Sequence, residues 1–130
     1  MIVTPLYAGL LALLFFALSL RVVQMRGTGI SLGDGGNPAM LRRIRGHANF
    51  AEYVPLILIM MALLELRKFS IYVLHGLGIT LLVSRLLHGY ALSFTEKFKF
   101  GRFWGALLTY IAMVVAGVLC IYQGVRATAL

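Results

Sequence analysis

From Met1 to Leu20 the chain passes twenty residues without one charged side chain, and Phe103 to Val125 repeats the pattern. A run of about 20 apolar residues is what a helix needs to cross a bilayer core about 30 Å thick. No water reaches the backbone there, so such a run closes its hydrogen bonds within a helix. Two further stretches complete the set. Tyr53 to Leu64 is a clean but short apolar core. Its helix must therefore begin earlier, near Leu41, and carry polar residues into the membrane boundary. Pro55 removes a backbone donor there and is expected to kink the helix. Phe69 to Ser84 is uncharged and continues through Arg85 towards Tyr90. The chain is 61% hydrophobic and only 12% charged, against roughly 25% charged in a soluble domain. A soluble core of 130 residues cannot hide that much apolar surface. The prediction is an all-α integral membrane protein, one domain over residues 1–130. It is a four-transmembrane-helix bundle with helices near 2–25, 40–66, 69–93 and 102–126.

The formal charge is +8, but the basic residues are dispersed and flank apolar runs, where they meet lipid headgroups. A nucleic-acid partner is not expected. Arg21, Arg26, Arg42, Arg43 and Arg45 surround the first loop, and Lys97, Lys99 and Arg102 the third. Arg67, Lys68 and Arg126 oppose them. The excess places loops one and three in the cytoplasm and both termini on the other side. The segment from Gly27 to Pro38 is dense in Gly, Asn and Pro and reads as irregular loop. A phosphate-cradling loop is the sharper alternative, but the Lys-Ser/Thr signature is missing. The start of the chain lacks the basic region and cleavage site of a signal peptide. A single cysteine, Cys120, excludes an intramolecular disulfide and a thiolate metal cluster.

The chemistry concentrates where the second helix enters the membrane. Arg45, Asn49 and Glu52 stand at i, i+4 and i+7, with Arg42 one turn earlier and Tyr53 one turn after Asn49. This spacing puts cation, amide and carboxylate on one stripe. Ionisable groups at that depth mark a binding site or a buried partner. In one reading Glu52 pairs with an arginine of a neighbouring helix and the stripe stabilises the bundle. In the other, arginines fork onto the carboxylates of a zwitterionic ligand and Glu52 takes its amine. On the third helix Arg85 and His88 share a face. A buried Arg85 needs a partner, and Glu52 is the natural candidate. His47 and His75 are read as packing or surface residues. Nothing resembles a good nucleophile, so any reactive atom would come from a bound cosubstrate.

The pattern Arg42, Arg45, Asn49, Glu52, Pro55, followed by Arg85 and His88, resembles the MAPEG family, membrane-associated proteins in eicosanoid and glutathione metabolism. Gly33-Asp34-Gly35-Gly36 and the pair Gly76 and Gly78 resemble its short bacterial branch. The resemblance covers essentially the whole chain. It implies a homotrimer in the bacterial inner membrane, with glutathione bound as cosubstrate between protomers near the cytosolic boundary, and no metal. Carried over, Arg42, Arg45, Asn49, Glu52, Tyr53, Arg85 and His88 are glutathione contacts. Arg21 or Arg26 reaches in from the end of helix one. Arg102, with Lys99 as the alternative, stabilises the thiolate. His88 stands where some members have tyrosine, and Leu92 where an aromatic is common. The implied function is a glutathione-dependent transferase or peroxidase acting on lipophilic small molecules that arrive through the membrane lipid. A non-catalytic bundle protein, whose polar network serves assembly, is the alternative. A small proton-coupled exporter ranks last, since Glu52 is the one acid suited to it and two arginines stand near.

Overall fold

Each apolar run folds as one uninterrupted helix. The computed structural model describes residues 2–128, so Met1 and residues 129–130 of the expected domain lie outside the described residues. Four helices follow in order: α1 (Val3–Arg26), α2 (Pro38–Leu66), α3 (Ile71–Ser93) and α4 (Lys99–Thr128). All four are long and apolar enough to cross a membrane. The 24 residues of α1 rise about 36 Å at 1.5 Å each.

Both helices that begin at the basic end start earlier than the sequence reading, while α3 begins at Ile71 rather than 69 and α4 runs to Thr128 rather than 126. α2 starts at Pro38 because Asn37 caps it, its Oδ1 accepting from the N–H groups of Ala39 and Met40, with Pro at the first position. Proline costs nothing there, since its missing donor would have been unsatisfied. α4 starts at Lys99, three residues before the expected 102, so Lys99 and Arg102 sit in a helix rather than a loop. α2 continues through Pro55 to Leu66. The α1–α2 loop is held from inside. The Arg26 guanidinium donates to the carbonyls of Ile30, Ser31 and Gly33 at 3.3 to 3.4 Å. Gly29, Gly33, Gly35 and Gly36 take positive φ angles, a conformation that costs side-chain-bearing residues energy.

α2 and α3 pack against each other and against both remaining helices, while α1 and α4 share no packing among the described residues. α1 and α4 therefore occupy opposite corners. The core joins Tyr7, Leu11 and Leu18 of α1 to Phe50, Val54, Ile57 and Met61 of α2 and Leu74, Leu77 and Leu81 of α3. Those positions recur at three- and four-residue steps, one stripe per helix. α4 approaches differently. Its buried face is Gly101, Gly105, Thr109, Ala112 and Ala116, small residues three or four apart. Small residues let helix backbones come close where lipid provides no hydrophobic drive. A Cβ at Gly105 would lie 2.6 Å from the His88 Cβ and 2.8 Å from the Ser84 carbonyl oxygen.

The opposite end is tied by Glu65. Its carboxylate accepts from the N–H groups of Ile2, Val3 and Thr4, the latter two at 2.8 Å. Three donors that the first turn of α1 leaves free are thereby satisfied by the last turn of α2. His47 and His75, read as packing or surface residues, are both partly buried and partnered. His75 Nδ1 meets the Tyr7 hydroxyl at 2.9 Å, and His47 stacks on Phe15 with Nε2 3.1 Å from Ser19 Oγ.

Candidate functional site

The polar stripe of α2 faces a cleft whose other walls are α3 and the first turns of α4. One compartment, about 250 Å³, is lined by Leu41, Arg42, Arg45, Asn49, His88, Leu92 and Arg102. A second, about 520 Å³, shares Asn49, His88 and Arg102 and continues past Lys99, Phe103, Ala106, Leu107 and Tyr110. The cleft is thus basic at one end and apolar along α4 at the other. Close α3–α4 packing at Gly105 brings Arg102 opposite Asn49. Arg102 and Lys99 both reach the cleft.

Arg85 lies behind Asn49 rather than in the open cleft. It is 1% exposed. Its guanidinium donates to Asn49 Oδ1 at 2.7 Å, Thr109 Oγ1 at 2.5 Å and the Gly105 carbonyl at 3.2 Å. Thr109 Oγ1 is also 3.0 Å from Ser84 Oγ. The expectation that Glu52 would pair with Arg85 is corrected. Glu52 lies 3.8 Å from Arg45 of its own helix, and both are half exposed. Among the described residues no carboxylate lies within salt-bridge distance of Arg85. The amide of Asn49, two neutral oxygens of α4 and close packing take the place of a counter-ion. Because Asn49 Oδ1 accepts from Arg85, its amide N–H groups are left to face the cleft. His88 lines both compartments with its ring, while its Nδ1 is sealed from the cleft and has no hydrogen-bond partner among the described residues.

The other expected residues separate. Tyr53 lies beside the cleft, its ring 5.5 Å edge-to-face from Tyr110. Arg21 faces away from the cleft, donating to the Ser93 carbonyl at 2.9 Å and lying 4.5 Å over the Phe94 ring. Arg26 is occupied by the loop carbonyls. Neither lines the cleft. Thr109, Phe103 and Tyr110 were not legible as site residues. The signal that would have found them is the small-residue spacing Gly101, Gly105, Thr109, which fixes the face α4 turns to α3 and hence its cleft-lining edge.

Comparison with known proteins places the whole chain rather than its individual site residues. The profile of the MAPEG family matches residues 4–122. The chain is 38% identical over 89 residues to the inner membrane protein YecN of Escherichia coli strain K12, covering 68% of each chain. The YecN protein of Escherichia coli O6:H1 strain CFT073 matches to the same extent. No solved structure matches significantly.

Proposed function

This chain belongs to the MAPEG family, and on that premise we propose that it is a membrane-bound, glutathione-dependent transferase or peroxidase acting on lipophilic electrophiles. The observation that carries the proposal is one cleft holding Arg42, Arg45, Asn49, His88 and Arg102 at its polar end and Phe103, Leu107 and Tyr110 at its apolar end. Glutathione has two carboxylates and one amine. Guanidinium forks suit the carboxylates, and the half-exposed Glu52 suits the amine. The amide N–H groups of Asn49 and the His88 ring complete the polar wall. A homotrimer fits this reading, because Glu52, Tyr53 and Arg21 stand outside the single-chain cleft, where a neighbouring protomer would close them over the ligand.

The glutathione thiol resembles a free cysteine, with a pKa about 8.5, and is mostly protonated at neutral pH. A guanidinium beside the sulfur favours the thiolate, and lowering that pKa by two units takes about 2.7 kcal/mol of differential stabilisation. Arg102, with Lys99 next to it, supplies the positive charge. In conjugation the thiolate sulfur forms a bond to an electrophilic carbon, and the leaving group departs with the bonding pair. In peroxide reduction the thiolate cleaves the O–O bond, giving an alcohol and a sulfenic acid, which a second glutathione converts to disulfide and water. The apolar stretch along α4 gives a membrane-dissolved substrate a route to the sulfur.

The proposed setting is the bacterial inner membrane, as for the YecN relatives. Arg21, Arg26, Arg42, Arg43, Arg45, Lys97, Lys99 and Arg102 gather at one end, and only Arg67, Lys68 and Arg126 at the other. The basic end is assigned to the cytoplasm. Conjugation of glutathione to a lipophilic chloronitrobenzene by the purified protein tests the activity. Turnover that falls at least tenfold in Arg102→Ala supports the proposal, and no turnover in wild type contradicts it.

A further inference from the structure

A second basic cavity lies at the same end of the bundle, on the other side of Arg42. It holds about 170 Å³ between the ends of α1 and α3 and the start of α2, and Arg21, Arg42, Arg43, Ser93, Phe94 and Glu96 are among its walls. Three guanidiniums face one carboxylate, leaving the cavity cationic. Arg43 is anchored by donating to the Arg21 carbonyl at 2.8 Å, and Arg21 by donating to the Ser93 carbonyl. Each guanidinium is therefore fixed in place and keeps N–H groups to spare, since Arg has five donors. Glu96 closes the side towards solvent through its 2.6 Å pair with Arg42.

We infer that this cavity binds the phosphate of an anionic glycerophospholipid. The volume accepts a tetrahedral phosphate, and converging guanidiniums match its oxygens. The rim decides between a lipid and a free phosphate. Phe94 is 48% exposed and stacks on Tyr90, which is 53% exposed. On α1, Leu20 and Val23 flank Arg21 and are also exposed. A phosphate site bordered by exposed apolar surface, at the end of membrane-spanning helices, suits a headgroup whose acyl chains continue along the bundle. This site stands apart from the proposed glutathione cleft, with which it shares Arg42 and Leu92 as a dividing wall.

The test uses the full-length protein in neutral detergent, with retention of phosphatidylglycerol against phosphatidylcholine read by native mass spectrometry. Wild type retains the anionic lipid preferentially. Arg43→Gln lowers its affinity about fivefold, the weight of one basic residue against an anionic headgroup. Arg43→Lys retains most of it. Glu96→Gln, which removes the opposing carboxylate, raises it. Circular dichroism and gel filtration check that the variants fold, and Arg43→Lys against Glu96→Gln keeps the test decisive if Arg43→Gln does not. Equal retention of both lipids, or anionic retention indifferent to Arg43 and Glu96, overturns the inference. Inorganic phosphate binding as tightly as the lipid assigns the cavity to a soluble phosphate and overturns the lipid.

Discussion

The Arg85 guanidinium donates to Asn49 Oδ1 at 2.7 Å, joining α3 to α2 beneath the cleft with no carboxylate of the described residues in reach. The contact fixes which way the Asn49 amide points, so a buried charge is used to orient a neutral group. Asn49→Leu keeps the volume and removes the acceptor. A hydrogen bond to a charged group is worth about 1.5–3 kcal/mol. Thermal unfolding in detergent should register a loss of that order, and glutathione affinity should fall as well.

The same cation rests on Thr109. Thr109→Val preserves shape and removes the oxygen shared by Arg85 and Ser84. The expected cost is about 1–3 kcal/mol, the penalty for leaving a buried donor unsatisfied. Unfolding midpoints unchanged from wild type would mean that Arg85 finds another acceptor.

Close approach of α3 and α4 makes a sharp contrast among glycines. Gly105→Ala pushes a methyl group against the His88 and Ser84 backbone and should destabilise by about 1–3 kcal/mol, as overpacking does. Gly124 has open space around it. Gly124→Ala should instead stabilise by up to about 1 kcal/mol through helix propensity. Chemical denaturation of both variants checks the pair, and equal effects would contradict the observed packing.

Glu65 caps α1 from the far end of α2. Glu65→Ala should cost about 1 kcal/mol, typical of a lost cap. Hydrogen exchange should rise at Val3 and Thr4 and stay low at the centre of α1.

The four helices could be read because uncharged runs of membrane length leave the backbone few alternatives. The α2 stripe was legible for a similar reason: once the segment from Arg42 to Tyr53 is helical, spacing alone assembles Arg45, Asn49 and Glu52. Partners across helices were not legible. Charge complementarity pointed Arg85 at Glu52, but Glu52 sits on the exposed edge of the stripe, while Gly105 lets α4 bring a carbonyl and Thr109 to the guanidinium instead. A glycine stripe carries that information only when its face is recognised. The positions of Arg21 and Arg26 depended on where α1 ends and how its glycine-rich loop folds back, and no periodicity encodes either. The basic cavity near Ser93 arises from three helix ends meeting, which no local pattern announces.

The most direct test of the central claim is calorimetric titration of the purified protein with glutathione, in wild type and in Arg45→Ala. The account predicts saturable heat in wild type and at least tenfold weaker binding in the variant, about 1.4 kcal/mol. Absence of heat in wild type, or equal affinity in both proteins, would contradict it.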